Sequence, residues 1–188
     1  RVLDVSSSLT GFAMDNMTRD DGWRFLVVGR RLERLSFLAL AIANFLRMPS
    51  ARGAGCLESL LELTDSIITY RSRYSRSPEL LPVLDLLVFD DSNPHGVVFQ
   101  ASVLARYLDR MARELGEANE GELAEALDHL LHFDLKKLEH SHFSDCHECA
   151  SCQEMARLLE ALNGAAIKLS SWLGMRYFTH VGDVSRQT

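Results

Sequence analysis

With 188 residues, 47% of them apolar and 24% charged, the chain can bury a sizeable core and has the make-up of a water-soluble globular domain. Its formal net charge of -6 opposes the positive field that nucleic acids and anionic membrane surfaces require, so neither is expected as a partner, although a local basic patch is compatible with it. The longest apolar run, Leu35 to Ala43 and on to Leu46 past Asn44, is shorter than the roughly 20 residues needed to cross a bilayer.

No basic stretch followed by an apolar one opens the sequence, so no secretory leader is expected. The sequence starts at Arg1 rather than Met and reads as part of a longer protein. The cysteines are Cys56, Cys146, Cys149 and Cys152. Without a secretory signal they point to a reduced, cytoplasmic compartment.

In chain order, residues 1–16 fit either a short helix or an irregular arm. Thr18-Arg19-Asp20-Asp21 marks a helix start, with Thr18 as the cap and the acids at the positive end of the dipole. The helix that follows runs from about Asp20 to Arg47 or Met48, and Pro49 stops it. Gly29 in its interior would admit a close neighbour or ligand. Apolar spacing predicts a second helix over Leu57–Tyr74 and a short one over Pro78–Phe89, with a strand as the alternative for Leu84–Phe89. Ser77-Pro78 is a cap followed by proline at the first helical position, and Asp90 to Pro94 repeats that signal before a helix that reaches Leu115 and ends at Gly116. Asn119 to Glu122 resembles a capping box, opening a helix to at least Lys137. The segment His140–Cys152 breaks the pattern, and a last helix covers Gln153–Leu173. With short loops, the expectation is a single all-α domain over residues 1–188: a bundle of about six mostly antiparallel helices.

The first long helix carries a charged knot, Gly29-Arg30-Arg31-Leu32-Glu33-Arg34, between apolar stretches. Phe25, Val28, Leu32, Leu35, Ala39 and Ile42 form one purely apolar face. Leu26, Arg30, Glu33, Phe37 and Leu40 share a second, and Val27, Arg31, Arg34, Leu38, Ala41 and Phe45 a third. If buried, Glu33 must meet an arginine: Arg30 on its own face, or Arg71, Arg73 or Arg76 from the second helix. The knot reads as a structural ion network that fixes helix register, as a solvated mid-helix patch, or as a pocket for an acidic or peptide-like group. Tyr70 and Arg71 open a Tyr/Arg-rich run to Arg76, which can stack on and fork to a carboxylate or phosphate. The alternative is a polar helix end.

Cys146, Cys149 and Cys152, near His140, His142 and His147, have donor atoms that suit zinc. No second ligand pair follows, however, and on a helix three cysteines spaced by three drift around the axis. A thiol-rich turn or redox chemistry are the other readings, and no metal is assigned. Glu139 and His142 make one E-x-x-H, where a di-iron bundle needs two. The sequence contains no phosphate loop, nucleophile elbow or zincin motif.

Met17-Thr18-Arg19-Asp20-Asp21-Gly22-Trp23-Arg24-Phe25-Leu26 followed by Gly29–Arg34 resembles the bacterial alpha-E domain, an all-helical family named for a Glu-Arg motif. Ile68–Tyr74, Val83–Leu87, Asp91–Pro94, Phe99-Gln100 and Tyr177–His180 are similar to it in order. The family domain is longer, with an earlier Gly-Arg-x-Leu-Glu-Arg helix, so the chain reads as its C-terminal portion. The cysteine cluster is a departure from the family pattern. Family members are fused to, or encoded beside, circularly permuted ATP-grasp and transglutaminase-like proteins. The resemblance therefore implies a role in ATP-dependent peptide or amide-bond formation, with an ATP-grasp-type ligase and a peptide-like substrate as partners.

The expected role is a non-catalytic partner or substrate-holding domain that binds through Arg30, Glu33, Arg34, Tyr70 and Arg71, with no cofactor. The rivals are an enzyme using Glu33 as acid or base and a purely structural bundle. A homodimer would cover apolar helix faces left open.

Overall fold

The computed structural model describes residues 5, 8–9, 11–12, 15–49, 51, 53–75, 77–116, 121–138 and 149–178. Among them are seven α-helices and no strand. The first, α1, spans Asp21–Leu46. Its cap is Asp20 rather than Thr18: the Asp20 carboxylate accepts a hydrogen bond from the Trp23 amide at 3.1 Å, satisfying one of the orphan donors of the first turn. No helix among the described residues is long and apolar enough to cross a membrane.

The predicted second helix is two helices, α2 (Ala54–Leu63) and α3 (Ile67–Tyr74). The break is a Schellman turn without glycine. Asp65 takes the left-handed conformation at φ 54°. Its amide donates to the Glu62 carbonyl, and the Ser66 amide reaches back to Leu61 at 2.8 Å. Aspartate tolerates this region better than most residues, so the break carries no glycine or proline signal.

Pro78 does not begin the next helix. The Tyr70 hydroxyl donates to the Ser77 carbonyl and accepts from the Glu79 amide, which holds this stretch extended. Helix α4 therefore starts at Leu80, ends at Leu84 and runs into a π-helical turn, Asp85–Phe89, not a strand. Asn93-Pro94 is likewise a turn ahead of α5, Val97–Leu115. Asn93 is buried and used as a hub: its amide donates to the Leu86 carbonyl at 3.0 Å and its oxygen accepts from the His95 amide. A side chain spent on those groups cannot cap a helix.

Helix α6, Gly121–Leu131, stops short of Lys137, and Leu135–Leu138 forms a 3-10 turn. The last helix, α7, is longer than predicted, Ala150–Phe178. It passes through Gly174 because Tyr177 and Phe178 anchor its end, their rings 5.0 and 5.2 Å from that of Phe25. Asn119, Glu120, Thr179 and His180 lie outside the described residues.

The core sits where α1 packs along α7 on one side and α5 on the other, while α6 closes on α7. Val28, Leu32, Leu35, Ala39 and Ile42 of α1 join Leu104 and Leu108 of α5 and Leu159, Leu162 and Leu169 of α7 in one cluster. Arg47 at the end of α1 donates from Nη1 and Nη2 to the two carboxylate oxygens of Glu160 of α7. Arg24 near its start reaches Glu114 of α5.

A Cβ at Gly96 would meet the carbonyl oxygens of Asn93, Asp90 and Leu86 at 3.2–3.3 Å. These are backbone atoms with little freedom to yield, so Gly96→Ala is expected to destabilise the fold by about 1–3 kcal/mol. Urea unfolding measures this; an unchanged midpoint would show that the turn is not packed this closely.

Candidate functional site

Burying one apolar face fixes the rotation of α1, and the residues half a turn away must then point out. Gly29, Arg30, Glu33, Arg34, Phe37 and Leu40 are all exposed. Phe37 and Leu40, which share their face with Arg30 and Glu33, are 47% and 44% exposed. The helix is thus open along one stripe rather than buried all round, and a buried ion network is not what it contains. Among the described residues Glu33 has no hydrogen-bond or ion-pair partner, because water reaches it and burial does not force pairing. A Cβ added at Gly29 would meet nothing within 4 Å, so no protein segment among those described uses the space that the glycine leaves.

This stripe forms one wall of a cleft of about 570 Å³. Arg30, Arg31, Glu33 and Arg34 line it together, flanked on the same helix by Trp23, Val27 and Phe37. Tyr107 of α5 and Pro94 of the preceding turn face them. Trp23 and Tyr107 pack at 5.7 Å between ring centroids. The guanidinium of Arg19 lies 4.3 Å over the Trp23 ring. The Trp23 indole nitrogen is buried, with no acceptor among the described residues.

Arg31 is the half-buried member. Its Nη1 donates to Gln100 Oε1 at 2.9 Å, and its guanidinium lies 5.8 Å from the Phe99 ring centre. Gln100 is fully buried and donates in turn to the Pro94 carbonyl. Burial first, then repulsion from Arg30 and Arg34, lowers the Arg31 pKa below the ordinary guanidinium value. Arginine nevertheless stays protonated in proteins. Three cations are therefore held close together with one of them partly desolvated, an arrangement that a bound anion relieves.

His95 stands behind Arg34, its Nδ1 3.1 Å from Arg34 Nη1 and its Nε2 3.7 Å from an Asp65 carboxylate oxygen. An arginine can donate to Nδ1 only if that nitrogen carries no proton. Burial, and next the Arg34 charge, lower the His95 pKa, and Asp65 opposes them.

Arg30, Glu33 and Arg34 are thus brought together, while Tyr70 and Arg71 lie elsewhere. Tyr70 is fully buried, stacked 4.8 Å from Tyr74 and bonded to the 77–79 backbone. Arg71 is exposed and pairs with Glu58 at 2.8 Å. Arg73 binds Asp90 and Ser92. These two arginines meet acids near their own helix and do not reach Glu33; Arg76 lies outside the described residues. Conversely, Trp23, Pro94 and Gln100 are marked in the sequence only by turn chemistry or family resemblance, and no local pattern singles out His95.

Cys149 and Cys152 are buried at the start of α7. Glu139, His140, His142, Cys146 and His147 lie outside the described residues, among which no group of three potential ligands gathers.

An all-α fold built on a Gly-Arg-Arg-Leu-Glu-Arg helix matches one family over nearly its whole length. The Alpha-E family, described as "A predicted alpha-helical domain with a conserved ER motif", matches residues 1–178, and the chain belongs to it. An uncharacterized protein of Mycobacterium bovis is 28% identical over 160 residues, covering 84% of this chain and 17% of that protein. Uncharacterized proteins from two strains of Mycobacterium tuberculosis match with the same identity and coverage. The chain thus corresponds to less than a fifth of the length of these relatives. No solved structure matches it.

Tyr70→Phe removes the acceptor of the Glu79 amide and is expected to cost about 1–3 kcal/mol of stability in urea unfolding; wild-type stability would contradict the clamp. For His95, the unfolded pKa is about 6.5 and the folded value lies below it. Between the two the unfolded chain binds more protons, so stability is present above about 6.5 and is lost as pH falls through the folded value. NMR titration should place the His95 pKa below the ordinary one, and His95→Gln should flatten the loss of stability on acidification from neutral pH. An unshifted titration would contradict this account of Arg34 and His95.

Proposed function

We propose that this Alpha-E domain is a non-catalytic, cytoplasmic partner domain that holds an acidic, peptide-like substrate for an ATP-grasp-type ligase forming peptide or amide bonds. The observation that carries the reading is the convergence of Arg30, Arg31 and Arg34 on one open cleft with aromatic walls. Arginine forks match carboxylates in geometry as well as charge. Phe37 and Leu40 continue the same face as an exposed apolar strip, suited to a protein partner. The much greater length of the relatives is compatible with a module that works beside others.

A second reading, an enzyme using Glu33 as acid or base, draws on the exposure of that carboxylate in the cleft. It requires turnover by the chain alone, whereas the partner reading requires the ligase.

The test is calorimetric titration of the 188-residue chain with N-acetyl-alanyl-glutamate and with its fully amidated analogue. The acid is expected to bind and the neutral analogue not. The double variant Arg30→Ala/Arg34→Ala should weaken binding at least about tenfold, the scale of losing a charge-assisted hydrogen bond. Equal binding of acid and amide, or an unaffected double variant, would refute the holding role. Co-expression with an ATP-grasp protein from the same genome tests the partner: the two should elute together, and separate elution would refute that half.

A further inference from the structure

Arg30 and Glu33 lie one helical turn apart on the face of α1 that lines the cleft. Side chains three apart on a helix are neighbours, with Cβ atoms roughly 5–6 Å apart, close enough for an arginine and a glutamate so placed to pair. Here neither has a hydrogen-bond or ion-pair partner among the described residues. The cleft therefore offers a small molecule a cation and an anion side by side.

A site for a plain anion has no use for Glu33. Its carboxylate would repel the ligand's own, lowering affinity through like-charge contact. The same carboxylate becomes favourable if the ligand carries a positive charge next to its negative one. The aromatic wall agrees with this, because a ring such as that of Tyr107 attracts an ammonium as well as packing on methylenes. A cleft of about 570 Å³ falls within the usual range for small-molecule sites and takes a dipeptide.

We infer that the cleft selects a zwitterion, a free amino acid or short acidic peptide, whose carboxylate is forked by the Arg30–Arg31–Arg34 side and whose ammonium is accepted by Glu33. This rests on the reading of the cleft as a substrate-holding site and adds to it the requirement for a free amine. Arg31, anchored by Gln100 and Phe99, supplies the fixed positive field. Arg30 and Glu33 supply the two contacts that read the ligand.

The experiment compares alanyl-glutamate with N-acetyl-alanyl-glutamate, and free glutamate with N-acetylglutamate, by NMR or calorimetric titration of the wild-type chain and of Glu33→Gln, with circular dichroism showing that the variant is folded. The wild type is expected to bind each free-amine ligand about two- to fivefold more tightly than its acetylated form, the factor that a solvent-exposed ion pair is worth. Glu33→Gln should abolish the preference while binding the acetylated ligands at least as tightly as the wild type does. A larger preference for glutamate over alanyl-glutamate assigns the ligand to the free amino acid, and the reverse to a peptide terminus. Equal affinity for free and acetylated ligands, or a preference that survives in Glu33→Gln, overturns the inference and leaves the anion-holding role standing. No binding of any of the four ligands overturns both.

Discussion

The structure depends on the rotational setting of α1. Val28, Leu32, Leu35, Ala39 and Ile42 are all but sealed from water between α5 and α7. At about 100° per residue, that burial leaves no freedom for the residues between them: Arg30, Glu33, Phe37 and Leu40 must face out, and Arg31 must sit at the boundary. Losing any of the buried leucines to alanine removes about 2–5 kcal/mol of packing. A rotation of the helix large enough to bury the charges would forfeit several such contacts at once and add the desolvation of four ions. The hydrophobic packing of one face thus keeps the charged one available.

The half-buried Arg31 connects core to cleft. Gln100, Phe99 and the turn around Asn93 and Pro94 hold it in place, and that turn is itself held by Asn93 and by the tight fit of Gly96. The aromatic ring of Tyr107 comes from the helix that starts there. The positive field of the cleft is therefore a consequence of how α5 enters the fold, and Arg34 is tied to the same turn through His95.

The architecture was largely legible from apolar periodicity, and so was the unusual status of Arg30, Glu33 and Arg34, because charges interrupting apolar stripes are visible locally. Four things were not. The break between α2 and α3 rests on Asp65 in a conformation that glycine usually marks, and the extension of α7 through Gly174 rests on tertiary ring contacts. The inward Asn93 resembles a helix cap until its distant partner Leu86 is known. For the cleft, the anchor of Arg31 lies 69 residues away at Gln100, beyond any local pattern. Tyr70 and Arg71 misled in the opposite way: a Tyr-Arg pair suits ligand recognition, yet one is committed to the 77–79 backbone and the other to Glu58.

A bound structure tests the central claim, that the open face of α1 is the ligand-reading face, most directly. In crystals of the chain grown with alanyl-glutamate, the peptide should lie in the cleft with a carboxylate against Arg30 and Arg34 and its amine against Glu33. A peptide bound elsewhere, or an empty cleft in which Arg30 and Glu33 pair with each other, would contradict it.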